Sequence, residues 1–197
     1  MVPIIGRVCE RCGIPLTVKL DVCGECDLLK GNQVDKIRSL LWFTDEAKII
    51  IHLVKFKNRY EWLEIFEDYL RGITFPFIEE GFTLIPVPIH RRKFLRRGFN
   101  QSEILLGIIG EKLQHPISFD LKKIKETKPQ SLLGGLERKV NLYGSFEWDS
   151  KEPVPSKVII IDDIFTTGET LKACARVLKS RGAEVVYAWT LFRTLDL

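Results

Sequence analysis

With 197 residues, 45% of them hydrophobic and 28% charged, the chain is long enough to bury one good core and to leave room for a small appendage. No apolar run reaches membrane-spanning length, and Met1–Cys9 holds one arginine and too short an apolar stretch for a secretory signal, so no membrane insertion and a cytoplasmic location are expected. The net charge of +4 is gathered rather than spread: four basic residues and no acid over Lys48–Arg59, five over His90–Asn100, and four lysines against Glu126 over Lys122–Lys128. Such clusters suit either phosphate-rich partners or plain solvated faces.

Cys9-Glu10-Arg11-Cys12 and Cys23-Gly24-Glu25-Cys26 form two Cys-x-x-Cys pairs ten residues apart, a spacing that suits one tetrahedral metal. Gly13 and Gly24 supply the backbone freedom such knuckles need. Zinc is the natural occupant of four thiolates, with iron, two disulfides or a redox pair as the competing readings. Residues 1–32 are therefore expected to be a four-cysteine zinc-binding finger that needs its metal to fold. Arg7, Arg11 and Lys19 are balanced by Glu10, Asp21, Glu25 and Asp27. The module reads first as a docking or stability element and second as a nucleic-acid contact.

Residues 33–197 form the main domain. Ile37–Phe43 is a strand or a covering segment. Thr44-Asp45-Glu46 opens a helix that places Ala47, Ile50, Ile51 and Val54 on one face, with His52 off that stripe. A second helix is expected near Tyr60–Arg71, followed by a connection over Gly72–Gly81. Phe82–Pro88 is a strand that stops at its prolines. The basic stretch Ile89–Gln101 follows as a strand-end loop able to cradle pyrophosphate, with Arg96 and Arg97 as the charge partners. Asn100 serves this site, caps the helix carrying Ile104, Leu105, Ile108 and Ile109, or does both.

Glu126–Glu137 lacks periodicity and contains Pro129, Gly134 and Gly135, which suits a loop. Ser145–Trp148 is read as a strand, and Ala183–Leu191 as the last one. Between them lies the stretch around which the chain is organised. Val158–Ile161 has the continuous β-branched pattern of a central parallel strand. It runs into Asp162-Asp163 and then into Thr166-Thr167-Gly168-Glu169-Thr170. Leu171, Cys174, Ala175 and Leu178 recur at helical spacing, so a helix is expected from near Gly168 to near Gly182, with Cys174 packed inward. Such a strand-loop-helix offers free N–H groups and the positive end of a helix dipole to a phosphate. The two acids suit sugar hydroxyls or a magnesium ion. The alternative is a plain turn whose threonines cap the helix.

Ile160–Thr170 resembles the phosphoribosyl pyrophosphate (PRPP) signature of type I phosphoribosyltransferases. The resemblance implies that Asp162 and Asp163 hold the ribose hydroxyls while Thr166, Thr167, Gly168, Glu169 and Thr170 hold the 5′-phosphate. Pro86-Val87-Pro88, Arg91 and Arg97-Gly98-Phe99-Asn100-Gln101 resemble the ComF competence-protein family, which couples a four-cysteine zinc finger to a phosphoribosyltransferase domain. Thr127, Gln130, Leu133, Arg138, Asn141 and Gly144-Ser145-Phe146 are similar to that family's pattern in a loop expected to close over the site. Lys55-Phe56-Lys57-Asn58 departs from the family's Lys-Tyr-x-Gly.

The expected fold is α/β, a mainly parallel sheet with flanking helices preceded by the zinc module. The expected ligand is PRPP with magnesium, bound beyond the carboxyl ends of the strands. The resemblance further implies a role in natural transformation, with single-stranded DNA and competence-machinery proteins as partners. A metabolic phosphoribosyltransferase acting on a nucleobase or amine, and a PRPP-sensing module without chemistry, are the alternatives.

Overall fold

The structure is a computed structural model that describes residues 1–17, 21–23, 26, 33–57, 70, 81–126 and 142–194. The expected helix near Tyr60–Arg71 and the connection before Gly81 lie almost wholly outside these residues, as do Gly24, Asn58, Thr127, Gln130, Leu133, Arg138 and Asn141.

In chain order the described elements are β1 (Lys36–Trp42), α1 (Asp45–Lys57), β2 (Thr83–Pro86), α2 (Arg91–Arg97), α3 (Gln101–Leu113), β3 (Leu121–Lys123), β4 (Phe146–Trp148), β5 (Lys157–Phe165), α4 (Glu169–Ser180) and β6 (Val185–Arg193). Four strands make one sheet in the order β1-β6-β5-β2, and each neighbouring pair is parallel. β3 and β4 form a separate antiparallel pair, with Leu121 opposite Trp148 and Lys123 opposite Phe146.

β5 lies between β6 and β2, and its apolar run divides by the period-two rule. Val158 and Ile160 face a core shared with Leu171, Cys174, Ala175 and Leu178 of α4. Ile159 and Ile161 face the other core, with Ala47, Ile51 and Val54 of α1 and Leu105, Leu106 and Ile109 of α3. Both faces are covered, which is why this strand carries no polar alternation until its carboxyl end. α4 then begins as expected, with Gly168 as its N-cap in the left-handed region at φ 74°.

The amino-terminal segment is packed into this body. Ile4 N–H donates to the Leu40 carbonyl and Trp42 N–H to that of Val2, so residues 2–4 cover the outer edge of β1. Cys9, Cys12 and Cys26 share the core that contains Ile37, Val158 and Ile160. Gly13 sits where a Cβ would come within 2.7 Å of the Ile37 carbonyl, at φ 73°, so only glycine permits this approach.

The stretch expected to be a strand-end loop is helical instead. Over Arg91–Arg97, α2 is capped by His90, whose side chain accepts from Arg92 N–H, and closed by Gly98 at φ 85°. Six long side chains of good helix propensity between a cap and a glycine account for it. The strand expected over Ser145–Trp148 is β4, whereas its partner β3 is not legible in the sequence, because its three residues carry too little periodicity to read. Among the described residues no helix is long and apolar enough to cross a membrane.

Candidate functional site

β2 and β5 run side by side, and their carboxyl ends carry the polar groups that the sheet interior excludes. Asp162 is half-buried and Asp163 is 7% exposed. The pair is held asymmetrically. Ser102 Oγ, in the first turn of α3, donates to Asp162 Oδ1 at 3.0 Å, and Asp163 N–H donates to the same oxygen at 2.9 Å. Lys55 Nζ, near the end of α1, lies 2.5 Å from Asp163 Oδ2. Arg97 is buried and its Nε donates to the Lys55 carbonyl at 3.1 Å, tying α2 to α1. Asn100 does cap α3: its side chain accepts from Ser102 N–H and donates to the Val87 carbonyl, which anchors the helix to the end of β2.

The two acids therefore differ in charge. Burial and the adjacent Asp163 carboxylate push Asp162 up to about 7, even against its two hydrogen bonds. Burial would raise Asp163 as well, but Lys55, helped by Lys93 and Arg97, outweighs it and holds Asp163 below the ordinary carboxylate range. Lys93 reaches the same place from α2, and burial together with Arg97, Lys55 and Lys123 lowers it to about 8. Lys123, from β3, is also lowered by burial and faces Asp162 and Cys174. Lys55, Lys93, Arg97 and Lys123 thus gather around two carboxylates, of which one is poised to be neutral near pH 7. Such a surplus of half-buried positive charge is costly until an anion joins it.

Beside the acids runs the loop 166–170. The N-cap of α4 is Gly168, which brings no side chain of its own to the first turn. A helix start of this kind is where backbone N–H groups and the helix dipole favour an anion. Thr166 and Thr170 are half-buried and Thr167 is exposed. Glu169 pairs with Lys172 at 2.8 Å in the first turn, so its carboxylate is engaged within the helix. Arg96 is exposed on the outer side of α2, away from the burial that encloses Arg97.

The sequence does not single out Lys93, Lys123 or Ser102 for this site, and the departure around Lys55 obscures that residue's place in it. Lys93 and Arg97 are four residues apart, the spacing of one helix face, but that signal is readable only once the stretch is known to be helical. Cys174 is fully buried, and burial pushes its thiol up, as a packed cysteine requires.

The second cluster is formed by Cys9, Cys12, Cys23 and Cys26, whose sulfurs all lie within 4.8 Å of one another. Sγ–Sγ separations of 3.3 Å for Cys9–Cys26 and 3.5 Å for Cys12–Cys23 approach the ~3.8 Å edge of a tetrahedron with metal–sulfur bonds of ~2.3 Å. Cys23 N–H donates to Cys9 Sγ at 3.3 Å. Burial would raise the Cys9 thiol, yet backbone N–H groups lower it to about 6, whereas burial raises Cys12 and Cys26. Four thiols in this space cannot all ionise without a cation, and the set fits a metal ion.

A family profile described as phosphoribosyl transferase domain matches residues 101–196. The DNA utilization protein YhgH of Salmonella typhi is 30% identical, over 95% of this chain and 85% of its own. The chain belongs to the ComF family. The competence protein ComFC of Bacillus subtilis is 28% identical over 97% of this chain and 80% of its own, and competence protein F of Haemophilus influenzae is 29% identical over 94% and 84%. Among solved structures, a purine phosphoribosyltransferase from Pyrococcus horikoshii aligns at 16% identity over 81% of this chain and 89% of its own, with a TM-score of 0.33. The parallel sheet with flanking helices is thus a phosphoribosyltransferase-type domain in a ComF-family chain, joined to a four-cysteine cluster able to hold a metal ion.

Proposed function

We propose that this chain is a ComF-type protein of DNA uptake whose carboxyl-edge site binds PRPP with magnesium. The observation that carries the ligand is the surplus of half-buried cations around an acidic pair, next to a helix start with glycine at its N-cap. A ligand with a phosphate at one end, hydroxyls in the middle and a polyphosphate at the other matches all three parts. Asp162 and Asp163 orient the ribose hydroxyls, and Thr166, Thr167, Gly168 and Thr170 hold the 5′-phosphate. Glu169 supports the loop through Lys172. The pyrophosphate lies against Arg97, joined by Lys55, Lys93 and Lys123, while Arg96 is free for another phosphate-bearing partner.

In a transferase reaction pyrophosphate departs from the anomeric carbon as positive charge grows on the sugar, and the lysines and Arg97 stabilise the departing group. Magnesium, when bound with the ligand, screens the pyrophosphate charge. Cys9, Cys12, Cys23 and Cys26 hold zinc, giving a metal module of residues 1–32 that shares a core with the domain of residues 33–197. Single-stranded DNA is the proposed macromolecular partner, with exposed Arg91, Arg92 and Arg96 on α2 as phosphate contacts. The relatives' names, competence protein and DNA utilization protein, support this role. Competence-machinery proteins follow as further partners.

The test is calorimetric titration of PRPP and magnesium into the wild type and an Asp162→Asn/Asp163→Asn variant. Saturable binding by the wild type alone is expected. Equal binding by both proteins would remove the acidic pair from the site, and no binding by either would remove the ligand.

A further inference from the structure

Arg193, the last residue of β6, is fully buried, an unusual place for a guanidinium. Its Nη1 donates to the Cys12 carbonyl at 2.5 Å, and its Nε and Nη2 have no hydrogen-bond partner among the described residues. A buried arginine held by one carbonyl would be a poor core residue unless it also met negative charge or a π face. It meets a π face: the guanidinium carbon stands 4.8 Å from the centroid of the Phe165 ring, and the carbonyl it binds belongs to Cys12, one of the four cysteines able to hold a metal ion.

Phe165 ends β5, immediately before the loop 166–170, and its backbone is fixed by pairing with Arg193 and by Thr194 N–H donating to its carbonyl at 3.0 Å. Its ring also touches the loop. A Cβ placed on residue 168 would come 2.8 Å from Phe165 Cε2, so the Gly168 backbone rests on the ring edge. Cys12, Arg193, Phe165 and Gly168 therefore form an unbroken series of contacts from the four-cysteine cluster to the start of α4. We propose that Arg193 is a positioning residue that couples the occupied metal site to the phosphate-binding loop, with Phe165 as the intermediate. This rests on the reading of residues 166–170 as the loop for a sugar 5′-phosphate.

Arginine is suited to the position because one planar group can donate to a carbonyl and lie over an aromatic ring together. Lysine would keep the charge beside the Cys12 carbonyl and lose the plane. A role limited to charge balance is therefore rescued by Arg193→Lys, and a positioning role is not. Coupling between two binding sites is also reciprocal, so a ligand that binds the zinc-loaded protein more tightly must tighten zinc binding by the same factor.

The test uses the whole zinc-loaded chain and ribose 5-phosphate as the probe, with affinity read by calorimetry and zinc release read at equilibrium, as the fraction of zinc taken up by a competing chromophoric chelator. Ribose 5-phosphate is expected to lower that equilibrium release from the wild type several-fold. Arg193→Lys is expected to weaken ribose 5-phosphate about tenfold while one zinc per chain remains. Phe165→Leu is expected to keep its zinc and lose the ligand's effect on release. Wild-type zinc release that is the same with and without bound ribose 5-phosphate overturns the coupling, as does wild-type affinity in a folded Arg193→Lys protein. The wild-type comparison decides the matter if a variant does not fold. Failure of the zinc-loaded wild type to bind ribose 5-phosphate overturns the loop reading, and the coupling with it.

Discussion

The carboxyl-edge site and the four-cysteine cluster are electrostatic opposites in one molecule. Around Asp162 and Asp163, α1, α2 and β3 deliver more positive charge than the acids balance. Around Cys9, Cys12, Cys23 and Cys26, a short local segment gathers groups that become an anionic shell on ionisation. On the proposed reading each site is complete only with a partner of the other sign. The cluster is built by neighbours in sequence and contributes to the core, which suits a structural partner. The edge site is assembled by distant elements at the rim of the sheet, which suits a partner that comes and goes.

That difference orders the effects of perturbation. Losing the cluster should be the largest: Cys12→Ser exposes the shared core and is expected to lower stability by about 3 kcal/mol or more, a fall in Tm of about 10 °C measured by calorimetry. Chelation of the wild type should produce a comparable loss, whereas the edge-site variants should melt close to the wild type. Next comes the ligand itself. The Asp162→Asn/Asp163→Asn variant is expected to lose about 100-fold or more in PRPP affinity, because charge-assisted hydrogen bonds to both ribose hydroxyls disappear.

The cations sharpen the comparison further. Lys93→Gln and Lys123→Gln are each expected to weaken PRPP about tenfold and to leave ribose 5-phosphate unchanged, since only the pyrophosphate end meets them. If both ligands weakened equally, the lysines would be acting on the fold and not on the pyrophosphate.

The smallest effect is on the pH dependence of stability. The folded state binds the Asp162 proton more tightly than the unfolded chain, so its contribution is fully present below the ordinary carboxylate pKa and is lost as pH rises to about 7. Asp163 has the opposite sign: its lowered pKa adds stability above the ordinary carboxylate range, and that share is lost as pH falls. In Asp162→Asn the decline between about pH 4 and 7 should disappear from denaturant titrations. An unchanged slope would contradict the asymmetry of the pair.

The same contrast explains what the sequence reveals. Two Cys-x-x-Cys pairs and a β-branched strand ending in Asp162-Asp163 are local patterns, and the structure places them in a cluster and in a central strand as their spacing requires. The docking of the cluster is not local. It depends on Gly13 meeting β1 and on Arg193 reaching Cys12 from the far end of the chain. The cationic wall is hidden for a similar reason. Lys93 and Arg97 turn inward only because α2 is a helix, and Lys123 reaches the acids only because a three-residue strand pairs with Phe146–Trp148. Basic clusters suit phosphate-rich partners and solvated faces alike, and which members of a cluster are buried is decided by the packing of elements far apart in sequence.

On the proposed reading one ligand spans the loop, the acids and the cations. Phosphorus-31 NMR of PRPP with magnesium, titrated with the wild type and with Lys93→Gln, reads both ends of the ligand in one spectrum. The 5′-phosphate and both pyrophosphate resonances are expected to shift or broaden with the wild type, and Lys93→Gln is expected to reduce the pyrophosphate response at matched protein concentration more than the 5′-phosphate response. Three resonances unmoved by excess wild-type protein would contradict that reading.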